Sequence, residues 1–205
     1  MNIVEPFFIH FDNAGGIILT TLNYTHHYTD PTQAAEDTWA LLNGATTEHW
    51  DNNEPENEPN EIFNYDWDDI IDQLSDYYCY WNYSGSSEGD YFKHLFMLQH
   101  KAELESLQAE NLTTAQAIAQ MWGGDGQCFL HEKTEICIAE FCRFLSTHNY
   151  ATSIENAVWQ GNQDGQHGTI QEVFVFRDNS FLLSDNFWDI ECPEGQVIVD
   201  GQIYK

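Results

Sequence analysis

Residues 1–92 contain no lysine and no arginine, against 18 aspartates and glutamates. Lys and Arg make up roughly 12% of an average chain, so a gap of this length arises by chance about once in 10^5. Selection against positive charge is the simpler account. The six basic residues, Lys93, Lys101, Lys133, Arg143, Arg177 and Lys205, all fall in residues 93–205. The chain therefore reads as an acidic N-terminal region, 1–92, and a helical then β C-terminal region, 93–205, as two parts or as one compact domain.

The whole chain has 205 residues and a formal charge of −28. No basic patch is available, so binding to nucleic acid through its phosphates is excluded as an expectation, as is attraction to an anionic membrane. Disorder throughout is also excluded, because the chain is 42% hydrophobic and holds 30 Phe, Tyr and Trp, enough for a sizeable core. The charge implies a basic partner. Spread evenly over roughly 9,800 Å² of surface, it gives one net negative charge per ~350 Å². Duplex DNA carries roughly one per 110 Å². The protein matches DNA only if its acids cluster.

Two segments cluster them. Asp51 to Glu61, with Asp51, Glu54, Glu56, Glu58 and Glu61 among prolines and asparagines, reads as an exposed acidic loop. Residues 66–78 read as an amphipathic helix. Trp67, Ile70, Ile71, Leu74, Tyr77 and Tyr78 share one arc at 100° per residue, and Asp66, Asp68, Asp69, Asp72 and Asp76 take the other. Asp66, Asp69, Asp72 and Asp76 would form a row ~15 Å long with one charge per ~5 Å. Like charges three or four residues apart cost a helix ~0.2–0.5 kcal/mol per pair. An ordinary surface helix would place lysines among them.

The remaining pattern is α+β. Phe7–Thr21 reads as two strands around Asp12–Gly16, and Asp30-Pro31 as the start of a helix ending at Gly44. Helices are expected over 91–110 (Leu95, Leu98, Ala102 and Leu107 inward), from the Thr113-x-x-Gln116 capping box to Gly123-Gly124, over 134–147, and from Thr152-x-x-Glu155 to Gly161. Antiparallel strands follow, Val173–Phe176 with Phe181–Leu183 and Val197–Val199 with Gln202–Tyr204. The tryptophans are mostly core candidates. His26, His27 and His49 read as surface or turn residues.

Carboxylates at ~5 Å intervals on a rigid helix present a field like that of a nucleic-acid strand to a groove of Lys and Arg. Omitting counter-charges costs stability and yields specificity and a fast on-rate. In kind, this resembles the DNA-mimic inhibitors of phages and plasmids, which block restriction enzymes, CRISPR effectors or other nucleases. The expected function is a non-enzymatic inhibitor whose mimic face is built from the ten acids named above. An immunity protein against a basic nuclease toxin is the related alternative. The C-terminal half would serve as scaffold or dimer interface.

A different class is suggested by Gly124-Asp125-Gly126-Gln127-Cys128-Phe129-Leu130. This stretch resembles the Asp-Gly-x-Cys element of ovarian-tumour-type cysteine proteases. The resemblance implies a cysteine hydrolase using Cys128 at a helix start, where a thiol pKa falls. The same residues also suit a helix-start turn with a buried cysteine. Only His131, His148 and His167 follow as partners.

No cofactor or metal is expected. Asp66-x-Asp68-Asp69 lacks the glycine and final glutamate of a calcium loop, and Cys128, His131, Cys137 and Cys142 are spaced unlike a zinc site unless the chain breaks near Thr134. Five cysteines without a CxxC pair, no signal-like N-terminus and no membrane-length apolar run place the chain in the cytoplasm as an expectation.

Overall fold

A computed structural model describes residues 5–12, 14–52, 62–66, 68–70, 72, 85–122, 131–161, 167–183, 195–199 and 202–204. It is an α+β protein with antiparallel sheets. It divides into two compact units, Met1–Gln99 and His100–Lys205.

In the first unit, β1 (Phe7–Asp12), β2 (Ile17–Thr21), β3 (Thr25–Tyr28) and β4 (Ile62–Asp66) form one sheet in the order β3-β2-β1-β4. Alternation sorts its faces. Phe7, Ile9, Phe11, Ile17 and Leu19 are buried, whereas Phe8 on the opposite face is 45% exposed. The β1–β2 turn is closed by Asp12, whose Oδ1 accepts from the amides of Ala14 and Gly16, while Gly15 takes φ +86°. A Cβ at Gly16 would collide with the Asp12 carboxylate and the His27 imidazole.

Helix α1 (Pro31–Leu42) starts as its sequence dictates. Asp30 Oδ1 accepts from Thr32 N at 2.9 Å, Pro31 opens the first turn, and Asn43 and then Gly44, at φ +91°, end it. α1 and the first half of α2 (Ser87–Gln108) pack on the buried side of the unit. Tyr91 of α2 sits 5.3 Å from Phe11, ring to ring, and donates its hydroxyl to Thr38 of α1 at 2.9 Å.

In the second unit, β5 (Ala151–Gly161), β6 (His167–Phe176), β7 (Phe181–Leu183), β8 (Gly195–Val199) and β9 (Gln202–Tyr204) are ordered β7-β6-β5-β8-β9. Helices α3 (Thr114–Trp122) and α4 (His131–Thr147) accompany them, α4 against β5 and α3 against α4 and β7. The capping box is present in full: Gln116 N donates to Thr113 Oγ1 and Thr113 N to Gln116 Oε1. A distant turn caps the same helix end. Thr114 N donates to Asp178 Oδ2 at 2.6 Å, and Ala115 N to Ser180 Oγ at 3.1 Å. These bonds tie α3 to the β6–β7 connection.

Four expectations are corrected. Thr152–Gly161 is not a helix but the body of β5, paired with β6 along most of its length and with β8 over Val158–Gly161. Thr152, Ile154 and Val158 suit that pleat, and two ladders outweigh a local capping signature. Strands β3 and β4 were not foreseen; His26 and His27 lie half-buried in β3, while His49 is exposed. Ala102 is exposed, and Leu104 takes the core position instead, beside Tyr91, Phe92, Leu95, Phe96 and Met97 on the same helix. Three of the seven tryptophans expected to be mostly core, Trp39, Trp50 and Trp122, are half-buried, and the side chains of the other four lie outside the described residues. The loop 53–61, the aromatic run 77–83 and Cys128 lie outside the described residues.

Candidate functional site

The acidic segments meet the first sheet at its two edges. The start of the acidic loop is held against β3. His26 Nδ1 donates to the carbonyl of Asp51 at 3.0 Å, and Thr25 N donates to Asn52 Oδ1 at 2.8 Å. The Asp51 side chain itself is exposed. At the other edge, β4 ends at Asp66 and a helical segment follows, described at residues 68–70 and 72. Registers place Asp66, Phe8, Thr20 and Thr25 in one cross-strand row. Three strand spacings make that row about 14 Å wide.

Asp66 and Asp69 do not act as a bare row. Asp66 Oδ1 accepts from the amides of Asp68 (2.9 Å) and Asp69 (3.1 Å), and Asp69 Oδ2 accepts from Asp66 N at 3.1 Å. This is a reciprocal capping box made of two aspartates. Their charges sit at the positive end of the helix dipole, which offsets part of the like-charge repulsion expected from sequence. Asp68, Asp69 and Asp72 are exposed while Ile70 is fully buried. At these four positions burial follows the predicted periodicity. Glu54, Glu56, Glu58, Glu61 and Asp76, together with Trp67, Ile71, Leu74, Tyr77 and Tyr78, lie outside the described residues.

Elsewhere, carboxylates are held by amides and hydroxyls where other proteins use basic side chains. Glu5 accepts from the amide of Thr47 at 3.0 Å and from its hydroxyl at 2.9 Å. Burial pushes the Glu5 carboxyl up, but bonds from Thr21 and Thr47 outweigh it and leave the group below its ordinary range. Asp37 accepts the Tyr28 hydroxyl at 2.6 Å, and Glu88 the Tyr65 hydroxyl at 2.6 Å. Burial, followed by its bonds to Asp37 and Tyr24, drives the Tyr28 hydroxyl far above its ordinary pKa, so it stays a donor. The acids of the first unit therefore fall into two sets. Glu5, Asp12, Asp30, Asp37, Asp66, Asp69 and Glu88 build the fold, and Glu36 lies 3.6 Å from the His94 imidazole; Glu48, Asp51, Asp68, Asp72 and Asp90 are exposed, and among the described residues no hydrogen bond holds their carboxylates. The sequence reading did not separate these sets, because the hydroxyl and amide partners of Glu5, Asp37 and Glu88 are distant in sequence or meet them only in the folded unit.

For the cysteine alternative, His148 closes α4, its Nδ1 donating to the Phe144 carbonyl at 3.0 Å. Cys142 is fully buried, and α4 runs unbroken from His131 to Thr147, without the break at Thr134 that a zinc site would need. Among the described residues no group of three or more His, Cys, Asp or Glu is placed to hold a metal, and no helix is long and apolar enough to cross a membrane. No protein-family model matches the chain, and no curated protein or solved structure is significantly similar to it.

Proposed function

We propose that this protein is an acidic inhibitor that occupies the nucleic-acid groove of a basic protein by charge mimicry, a restriction, CRISPR or other nuclease being the target class. One observation carries the reading. In the Lys/Arg-free region, the carboxylates of Asp51, Asp68 and Asp72 stand exposed without a hydrogen-bond partner among the described residues, while other acids of the same unit are drawn into the fold by amides and hydroxyls. Carboxylates left bare without any counter-charge are suited to a cationic partner.

The sheet supplies the spacing. The acidic loop and the acidic helix are anchored about 14 Å apart, three strand spacings. That is close to the ~12 Å width of the major groove, across which a duplex sets its two phosphate strands. Between the anchors Phe8, 45% exposed, offers an aromatic face on which an arginine of the target would stack. The residues bearing partner contact are Asp51, Asp68 and Asp72, with Glu54, Glu56, Glu58, Glu61 and Asp76 extending the same two segments. Asp66 and Asp69 serve chiefly to start the helix.

The test is capture on the immobilised protein at about 0.1 M salt, where the screening length is ~10 Å. A basic nucleic-acid enzyme should be retained, released at moderate salt and displaced by added duplex DNA. Retention that duplex DNA does not disturb would overturn groove mimicry. Alkylation of Cys128 at neutral pH separates this reading from the cysteine hydrolase. A rate no faster than that of free thiol is expected.

A further inference from the structure

The second unit holds a cleft of about 440 Å³ at the start of β5 and the end of β6, lined in part by Asn149, Tyr150, Ile154, Val175, Arg177 and Asn179. Its construction is local. Asn149 and Asn179 both adopt the left-handed conformation, at φ +58° and +66°, and turn the chain into β5 and out of β6 at the same end of their ladder. Arg177 N donates to the Tyr150 carbonyl, so the two residues extend the ladder by one pair.

This pair brings a cation into the cleft in a chain that has only two arginines. The Arg177 guanidinium lies 5.7 Å from the centre of the Tyr150 ring. Tyr150 is itself fixed, donating its hydroxyl to Glu105 Oε1 at 2.6 Å, with Lys101 Nζ 5.2 Å from the ring centre. A guanidinium resting on an aromatic face keeps its N–H fork for other acceptors. The nearby acids do not take it: Glu105 pairs with Lys101 at 2.7 Å, and Asp178 accepts from Thr114 and Ser180. The contrast with Arg143, which bonds Glu140 at 3.1 Å, is direct.

We propose that this cleft binds a small organic monocarboxylate with a short apolar body. The carboxylate would take the Arg177 fork bidentately, with the asparagine amides as additional donors, and the apolar body would lie on Ile154 and Val175. The charge of the ligand follows from the charge of the protein. In the field of a −28 chain a dianion meets twice the repulsion that a monoanion meets. A neutral ligand leaves the guanidinium without its bond. The site is independent of the acidic face in the first unit.

The experiment is titration of the full ¹⁵N-labelled chain at neutral pH with hexanoate, with hexanamide as the neutral counterpart and butylmalonate as the dianion. Two arginines give two side-chain Nε–Hε signals, so Arg177 is read directly with Arg143 as the internal control. Hexanoate should move the Arg177 signal saturably, with a Kd of about 1 mM for so small a ligand, and leave Arg143 in place. Hexanamide should bind at least tenfold more weakly, as should hexanoate to Arg177→Gln; Arg177→Lys, which keeps the charge and loses the fork, should fall between. Equal binding of hexanamide, tighter binding of butylmalonate, or parallel unsaturated drift of both arginine signals would overturn the proposal.

Discussion

At the residue scale, amides and hydroxyls hold carboxylates that basic side chains hold elsewhere, and several of these acids make distinct predictions. Asp66→Ala removes the cap of the acidic helix and should lower stability by about 1 kcal/mol, measured by urea denaturation. Asp68→Asn and Asp72→Asn should leave stability unchanged or slightly raised, because both side chains are exposed and neither bonds another described residue. Asp178 shows how pH enters. Burial raises its pKa, but bonds from Ser180 and Thr114 outweigh this and hold it below the ordinary value. A depressed folded pKa stabilises the fold above the unfolded value and is lost as pH falls through the folded one. Asp178→Asn should therefore cost about 1 kcal/mol at pH 7. The gap between variant and parent should narrow below pH 4, as followed by acid titration of the near-ultraviolet signal.

At the scale of elements, α1, the β1–β2 hairpin and the α3 cap were legible because their information is local. Asp30-Pro31 and Gly44, Asp12 with Gly15, and Thr113 with Gln116 each satisfy their own backbone within a few residues. Strand β5 was misread for the opposite reason. Its Thr152-x-x-Glu155 signature is a sound local cap, but Val158 pairs with Thr169 on one side and Ile198 on the other. Neither partner is near in sequence. Val158→Pro should break both ladders. It should destabilise the second unit by about 3 kcal/mol or more, seen as loss of β signal in far-ultraviolet circular dichroism at a lower urea concentration. β4 was missed similarly, since Ile62–Asp66 abuts the helix that claimed Asp66, and only pairing with β1 shows it as a strand.

At the scale of the whole molecule, charge dominates. The first unit has 18 acids against Lys93 alone, and bare carboxylates repel one another across its surface. Raising sodium chloride from 0.05 to 0.5 M shortens the screening length severalfold and should raise Tm; a Tm independent of salt would remove the argument for a strained acidic surface. For partner binding, Asp68→Asn with Asp72→Asn should weaken capture of a basic nucleic-acid enzyme and make it less salt-sensitive. Phe8→Ala should weaken the same capture without lowering Tm, because Phe8 lies outside the core.

The sequence alone determined the net charge and its concentration in residues 1–92, the α+β class and the burial of Ile70 between exposed acids, because composition and periodicity are carried by each residue independently of its distant neighbours. Only the tertiary structure decided which carboxylates are available. Asp51 stays bare while Glu5, Asp37 and Glu88 are drawn inward by Thr47, Tyr28 and Tyr65. A hydrogen bond from a residue 42 positions away along the chain, as between Glu5 and Thr47, leaves no trace in local pattern. Arg177 became a candidate ligand-binding group in the same way, once β5 and β6 had set it against Tyr150.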